Sequence, residues 1–415
     1  MIRFLASMKD KEEIQEGFYS INIIALISIS VTCTLLYLFS GTIAEFILNN
    51  NITAAKILPL IIFFWSLNVI YYNYFRTFQQ MKIYSMFLIL QNYLTVLFVY
   101  YFAISGYNIS FAVTGILITQ IITFIIALAL IARAIGFKIP EMRNIREYLS
   151  LGLPTVPSSL SYWIVESSDR YIIGIFLSTT FVGYYSPGYA LGNLILMLMY
   201  PFSTLLLPLL SKHYDENNMD EVRLYMKYSL KFFIGLAVPA AVGLSLLSKL
   251  IIGLLSTPEI AVNGYFITPF VTVSAILFGI YNIIINIILL KKKTKIVGFI
   301  WIFAAILNII LNLVMIPVFG IIGAAIATLS AYTLAFVVTL FYSLKYFKIE
   351  FDFPFIGKCI IAAFFMSLII LNFYPTGVLS LIIVIAVSSA VYMGALTLLK
   401  GFKKEEVNFI KTLLK

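Results

Sequence analysis

The stretch "SLSYWIVESSDRYIIGIFL" places Glu166, Asp169 and Arg170 within one and a half helical turns of an otherwise apolar run. On a helix, Glu166 and Arg170 are four residues apart with the acid first, the favourable order for an ion pair, and Asp169 shares their broad face. Charge near the centre of a membrane helix costs about 2.5–3.5 kcal/mol per residue, so three such side chains cannot all face lipid. They must face protein or a water-filled cavity. The residues alone leave two uses open. One is a structural ion pair joining helices; the other is a cavity site for an anionic headgroup, a coupling cation or both. The cluster has one more acid than base. A phosphate bound here therefore requires a protonated or cation-bound carboxylate, or further basic groups.

Other side chains form a second tier. Tyr184, Tyr185 and Tyr189 open the following apolar run; their rings suit sugar faces and equally suit anchoring at a membrane interface. Asn282 with Asn286, and Asn308 with Asn312, are pairs at i, i+4 that can line a cavity or bond neighbouring helices. Gly323, Ala327 and Ala331 form a small-residue stripe suited to close helix packing. The lysine run at 291–295 reads as an interfacial anchor that also attracts anionic headgroups. Cys33 and Cys359 fall in or beside separate runs with no metal-ligand spacing, and His213 reads as a solvated loop residue. No nucleotide-binding glycine loop, metal cluster or nucleophile triad is visible, so no catalytic residue, metal site or cofactor is expected.

The elements that must position these residues are apolar helices. Of the 415 residues, 62% are hydrophobic and 11% charged, far from the balance of a soluble domain. Twelve runs are long enough to cross a bilayer, at about 18–41, 56–75, 84–104, 110–132, 148–178, 182–210, 228–248, 264–290, 296–317, 321–344, 356–373 and 377–399. The reading is an all-α polytopic membrane protein. The charged opening "MKDKEEIQE" is not a signal peptide. Numbering the gaps alternately, all but three of the 28 basic residues fall in gaps on one side; the exceptions are Lys56, Lys249 and Arg170. The net charge of +10 is thus a topology signal that places both termini in the cytoplasm, and no nucleic-acid partner is expected.

The chain also repeats itself. Pro59 and Pro269, Tyr71 and Tyr281, and Lys82 and Lys292 share a spacing of 210, and the order of spans and basic loops matches at that spacing. The first repeat then has four spans and the second six, so an N-terminus short of two helices is expected. The two repeats have the same orientation, an arrangement associated with transporters. The expected organisation is an incomplete four-helix N-lobe at 1–135, a cytoplasmic bridge at 136–147, a six-helix C-lobe at 148–345, a terminal helix pair at 355–400 and a basic cytoplasmic tail at 401–415.

"GLPTVPSSLSYWIVESSDRYIIGIFLSTTFVGYYSPGYALG" (152–192) resembles polysaccharide-export flippases, the Wzx-like members of the multidrug/oligosaccharidyl-lipid/polysaccharide superfamily. The resemblance rests on G-x-P-x-x-P-S-S, D-R-Y-x-I-G and V-G-x-Y-S. It implies a two-lobe, MATE-like bundle with a central cavity and a final helix pair. It also implies a flippase, not an enzyme, that turns a lipid-linked oligosaccharide on a polyprenyl phosphate or pyrophosphate carrier from the inner to the outer leaflet of the cell membrane, by alternating access. Arg170 would hold the headgroup, while Asp169 and Glu166 orient it or take up a coupling proton or sodium ion. Glycan polymerase or ligase proteins would be partners, alongside membrane lipids. The alternatives are a drug or cation exporter of the same superfamily and an integral membrane glycan polymerase. Short outer gaps, with Glu45 and Glu259 as the acids of the two longer ones, leave the polymerase little room for catalytic residues.

Overall fold

The computed structural model describes Leu5 and residues 10–48, 50–78, 80–105, 109–142, 145–152, 156–291 and 293–402. Of the expected basic tail only 401 and 402 fall among them, and the repeat position Lys292 lies outside. The described residues are helical, without strands. They divide into two units, Met1–Pro154 and Thr155–Lys415.

The first unit contains α1 (Lys11–Leu38), α2 (Ser40–Ile47), α3 (Ile52–Thr77), α4 (Met81–Ile104), α5 (Ile109–Ile135) and α6 (Ile145–Gly152). Asn51 caps α3 by accepting the Ala54 N–H at 3.0 Å, meeting one of the donors a helix start leaves open. At the middle of the unit, buried amides and hydroxyls join three helices. The Asn68 amide donates to the Gln120 carbonyl, the Gln120 Oε1 and the Thr123 hydroxyl at 2.9–3.0 Å, and Gln91 reaches the same Gln120 Oε1 at 3.3 Å. Beside this network pack Phe18, Tyr71, Tyr74, Phe75 and Phe87.

The segment after α5 is held on the first turns of α1. Gln15 donates to the Ile135 carbonyl, Tyr19 to the Gly136 carbonyl at 2.6 Å, and the Glu16 carboxylate accepts the N–H groups of Glu141 and Met142 at 3.0 and 2.9 Å. Much of the expected bridge is thus fastened to the first helix of its own unit.

The second unit contains α7 (Val156–Phe176), α8 (Thr179–Asn193), a 3₁₀ segment (Leu194–Met199), α9 (Tyr200–Asp215), α10 (Met219–Leu255), α11 (Pro258–Gly264), α12 (Ile267–Leu290), α13 (Thr294–Phe319), α14 (Ile321–Leu344), α15 (Phe353–Asn372) and α16 (Val378–Leu398). Only Gly320 separates α13 from α14, at φ 60° and ψ −143°, a conformation that glycine alone adopts without strain. That turn lays Gly323 against the Met315 and Ile316 backbone, with Ala327 and Ala331 fully buried beyond it. The small-residue stripe does serve close helix packing.

Among the described residues, ten helices are long and apolar enough to cross a membrane: α1, α3, α4 and α5, then α10 and α12 through α16. The chain is a multi-pass, all-α membrane protein. Runs 148–178 and 182–210, counted as spans from the sequence, are not among the ten. The first yields a helix carrying three charged residues, and the second is broken by the 3₁₀ segment and ends in Lys212, His213 and Asp215. His213 is also corrected: it lies inside α9, stacked on Tyr225 at 5.3 Å and 3.6 Å from Glu216. The 210-residue repeat reappears helix for helix, with α1, α3, α4 and α5 matched in order and length class by α10, α12, α13 and α14.

Candidate functional site: the charged helix

The side chain of Asp169 is fully buried, whereas that of Arg170 retains 29% of its exposure. Burial of a carboxylate demands partners, and Asp169 has three. Its Oδ1 accepts the backbone N–H of Arg170 at 2.7 Å and lies 3.5 Å from the Arg170 Nη1. Its Oδ2 accepts the hydroxyl of Tyr185, from α8, at 2.5 Å. The Arg170 guanidinium lies over the Tyr189 ring, 4.3 Å from its centroid, a contact of about 0.5–2 kcal/mol for a part-exposed cation.

The expected Glu166–Arg170 side-chain pair is revised. Arg170 Nη1 donates at 2.9 Å to the backbone carbonyl of Glu166, not to its carboxylate. The adjacent Asp169 carboxylate is the acid it pairs with, because Asp169 turns toward α8 and draws the guanidinium with it. Glu166 stays half-buried, with the hydroxyl of Tyr162 one turn earlier on the same helix close by.

Tyr185 and Tyr189 sit on α8 one turn apart and are 0% and 1% exposed. They are therefore fittings of Asp169 and Arg170, closed to solvent in this conformation. On another side α8 packs closely on α11 and α12 because it is notched with glycines: a Cβ at Gly188 would meet the Gly264 carbonyl oxygen at 2.5 Å, and one at Gly192 would meet Val271 at 2.7 Å. Tyr184 faces away from the cluster and donates to the Glu259 carboxylate of α11.

The asparagine pairs separate into two uses. Asn308 and Asn312, both fully buried on α13, join the charged helix: Ser168 donates to Asn308 Oδ1 at 3.0 Å, and Asn312 donates to the same atom at 3.0 Å. The Asn308 Nδ2 and Asn312 Oδ1 then have no partner among the described residues, nor has the buried Thr328 hydroxyl on α14. The approach of Gly323 to Met315 fixes the register of these antiparallel helices and brings Thr328 to about the level of Asn312. Asn282 and Asn286 instead donate to carbonyls of their own helix, α12, at 2.9–3.0 Å, and are not gathered at the charged cluster.

Sequence reasoning passed over a ring cluster beginning one turn before Glu166. Tyr162 stacks on Phe278 and meets Trp301 edge-on; Phe278 stacks on Tyr281 and Tyr332; and the Trp301 Nε1 donates to the Tyr281 hydroxyl at 2.8 Å. Spacing alone cannot reveal it, since its members come from four helices. No group of three or more metal-ligating side chains occurs among the described residues.

Residues 5–259 match the family model described as "Polysaccharide biosynthesis protein". Two proteins of Haloferax volcanii are similar. "Probable low-salt glycan biosynthesis flippase Agl15" is 24% identical over 279 residues, 67% of this chain and 58% of that protein. "Probable flippase AglR" is 33% identical over 171 residues, 40% of this chain and 35% of that protein. The chain thus matches less than two thirds of either relative's length. Among solved structures, "Lipid II flippase MurJ, inward closed conformation" superposes with a TM-score of 0.78 at 22% identity, covering 99% of this chain and 87% of that one. An inward-facing multidrug resistance MATE family transporter of the MOP superfamily superposes with a TM-score of 0.65 at 14% identity, covering 81% of each chain. These likenesses show a shared MATE/flippase-like fold.

Proposed function

This chain belongs to the polysaccharide biosynthesis protein family, and on that footing we propose that it is a flippase, moving a polyprenyl-(pyro)phosphate-linked oligosaccharide from the cytoplasmic to the outer leaflet of the cell membrane by alternating access. Surface polysaccharide or glycan assembly would use the product, and the polymerase or ligase proteins that consume it would be partners. Both termini lie in the cytoplasm on this reading, following the one-sided basic loops.

The observation that carries the reading is Arg170. It is a permanent cation within an apolar helix, steadied on one side by Asp169 and on another by the Tyr189 ring, yet still part-exposed. Such a guanidinium keeps donors available for a phosphate oxygen, and its planar fork suits bidentate binding. Tyr185 fixes the Asp169 carboxylate, and Asp169 in turn sets where the guanidinium sits. When a headgroup takes up Arg170, the charge of Asp169 must be balanced anew. A coupling proton or sodium ion does this, and the unpartnered oxygens of Asn312 and Thr328, on helices packed near Asp169, supply neutral ligands for an ion. The carrier's chain needs an apolar path. An apolar cavity of about 440 Å³ lies in the same unit, walled by the 3₁₀ segment, α10, α15 and α16.

Depleting the protein in its native cell and assaying lipid-linked glycans for leaflet sidedness tests this reading. Complete units accumulating on the cytoplasmic face are expected. An unchanged pool with new sensitivity to cationic drugs would overturn it in favour of an exporter with the same fold.

A further inference from the structure

α10 runs unbroken for 37 residues with Pro239 inside it. A proline has no N–H, so the carbonyl four residues earlier loses its helical donor. That carbonyl belongs to Gly235. The missing bond is made good from another helix: the Tyr392 hydroxyl of α16, on a side chain 3% exposed, donates to the Gly235 oxygen at 2.8 Å. Gly235, Pro239 and Tyr392 all line the apolar cavity.

The same face of α10 is tied at each preceding turn. Lys231, four residues before Gly235, is buried and holds Asp352 at 3.1 Å; Lys227, another four before, holds Glu350 at 3.0 Å. Asp352 is itself the N-cap of α15. Three successive turns, at 227, 231 and 235, are thus pinned by directional bonds to the α14–α15 connection, the start of α15 and α16. Beyond Pro239 the character changes. There α10 meets α15 and α16 through apolar side chains, including Val242, Leu246 and Leu247 against Met366 and Ile370, and a Cβ at Gly243 would find its first neighbour only at 4.0 Å.

We propose that Tyr392 is a positioning residue that splints a proline hinge in α10. The stretch through Gly235 and the terminal helix pair form one rigid body, and the stretch after Pro239 bends against it, changing the apolar cavity. Tyr392 supplies the hydrogen bond that straight α10 would have made for itself, and releasing it frees the bend. The geometry stands apart from any substrate, so the inference can fail while the flippase reading holds, and the converse.

Amide hydrogen exchange on the full chain in a lipid bilayer is the test, applied to Tyr392→Phe, Pro239→Ala and the double variant. Tyr392→Phe keeps the ring and removes one hydroxyl. Exchange at Ala240, Ala241 and Val242 should rise by about tenfold, the worth of one net hydrogen bond, with exchange in α12 unchanged. Pro239→Ala restores the helical donor, so adding Tyr392→Phe to it should raise exchange little. Equal increases in both backgrounds, or no increase with proline present, would overturn the proposal, because a hydroxyl that merely packs has no reason to couple to Pro239.

Discussion

The two halves of the 210-residue repeat hold equivalent helices together with different chemistry. In the first unit, α3, α4 and α5 meet through Asn68, Gln91 and Gln120. At the matching positions of the second unit, Phe278 and Trp301 stand where Asn68 and Gln91 do, and α12, α13 and α14 meet through rings. Tyr71 and Tyr281 are common to both. A neutral, directional amide network and an apolar ring cluster thus solve one packing problem. Neither carries charge. The charge sits on α7, outside the helices that the repeat pairs, and its fittings come from α8. The charged cluster thus sits on helices the repeat does not pair, and Asn308 of the paired α13 meets it through Ser168.

That division predicts unequal consequences. The largest, for transport, is expected at Asp169 and Arg170. Asp169→Ala leaves the part-exposed Arg170 without its acid and Tyr185 without its acceptor, a loss of about 1–3 kcal/mol, seen as a lowered melting midpoint together with lost transport. Arg170→Ala should abolish transport, and Arg170→Lys should restore little, since an ammonium has neither the fork nor the ring stacking. A loss of stability, without a transport defect per folded molecule, is expected of Trp301→Ala, at about 3–5 kcal/mol for a buried large aromatic. Asn68→Leu at the matching place in the other unit should cost only about 1 kcal/mol, as hydrogen bonds between membrane helices are individually modest. Thermal unfolding of purified protein checks both; a larger loss from Asn68→Leu than from Trp301→Ala would show that the amide network, not the ring cluster, is the stronger joint.

The smallest effect belongs to the exposed tie of Lys227 and Glu350. Lys227 holds the Glu350 carboxyl below its ordinary value of 4.5, through the hydrogen bond first and charge second. A depressed carboxyl contributes stability above its unfolded value and loses it as pH falls through the folded one. Glu350→Gln should therefore lower stability slightly at neutral pH and flatten its decline below pH 4.5, so that variant and wild type converge in acid. A melting midpoint followed from pH 7 to pH 3 reads this directly.

Much of this was legible in the sequence. Hydrophobic length marks the helices, and the expense of charge in an apolar run says that Asp169 must be buried and partnered. The partner itself was visible only as a residue type: nothing in the spacing of Tyr184, Tyr185 and Tyr189 tells which hydroxyl turns inward, and the structure gives Tyr184 to Glu259 and Tyr185 to Asp169. The asparagine pairs show the same limit. Asn308 reaches across to Ser168 while Asn282 and Asn286 fold back on their own carbonyls, although all four sit at one helical spacing. The 3₁₀ break at 194–199 was hidden because its residues, Leu-Ile-Leu-Met-Leu-Met, are as apolar as any span.

If Arg170 is the working charge and the amide network of the other unit is scaffold, transport fails on losing the first and survives losing the second. Wild type, Arg170→Ala and Asn68→Leu, each at matched membrane abundance in depleted cells, decide it through the sidedness of lipid-linked glycans. Wild type and Asn68→Leu should clear the cytoplasmic-face pool and Arg170→Ala should not. Clearance by Arg170→Ala at the wild-type rate would contradict that role for Arg170.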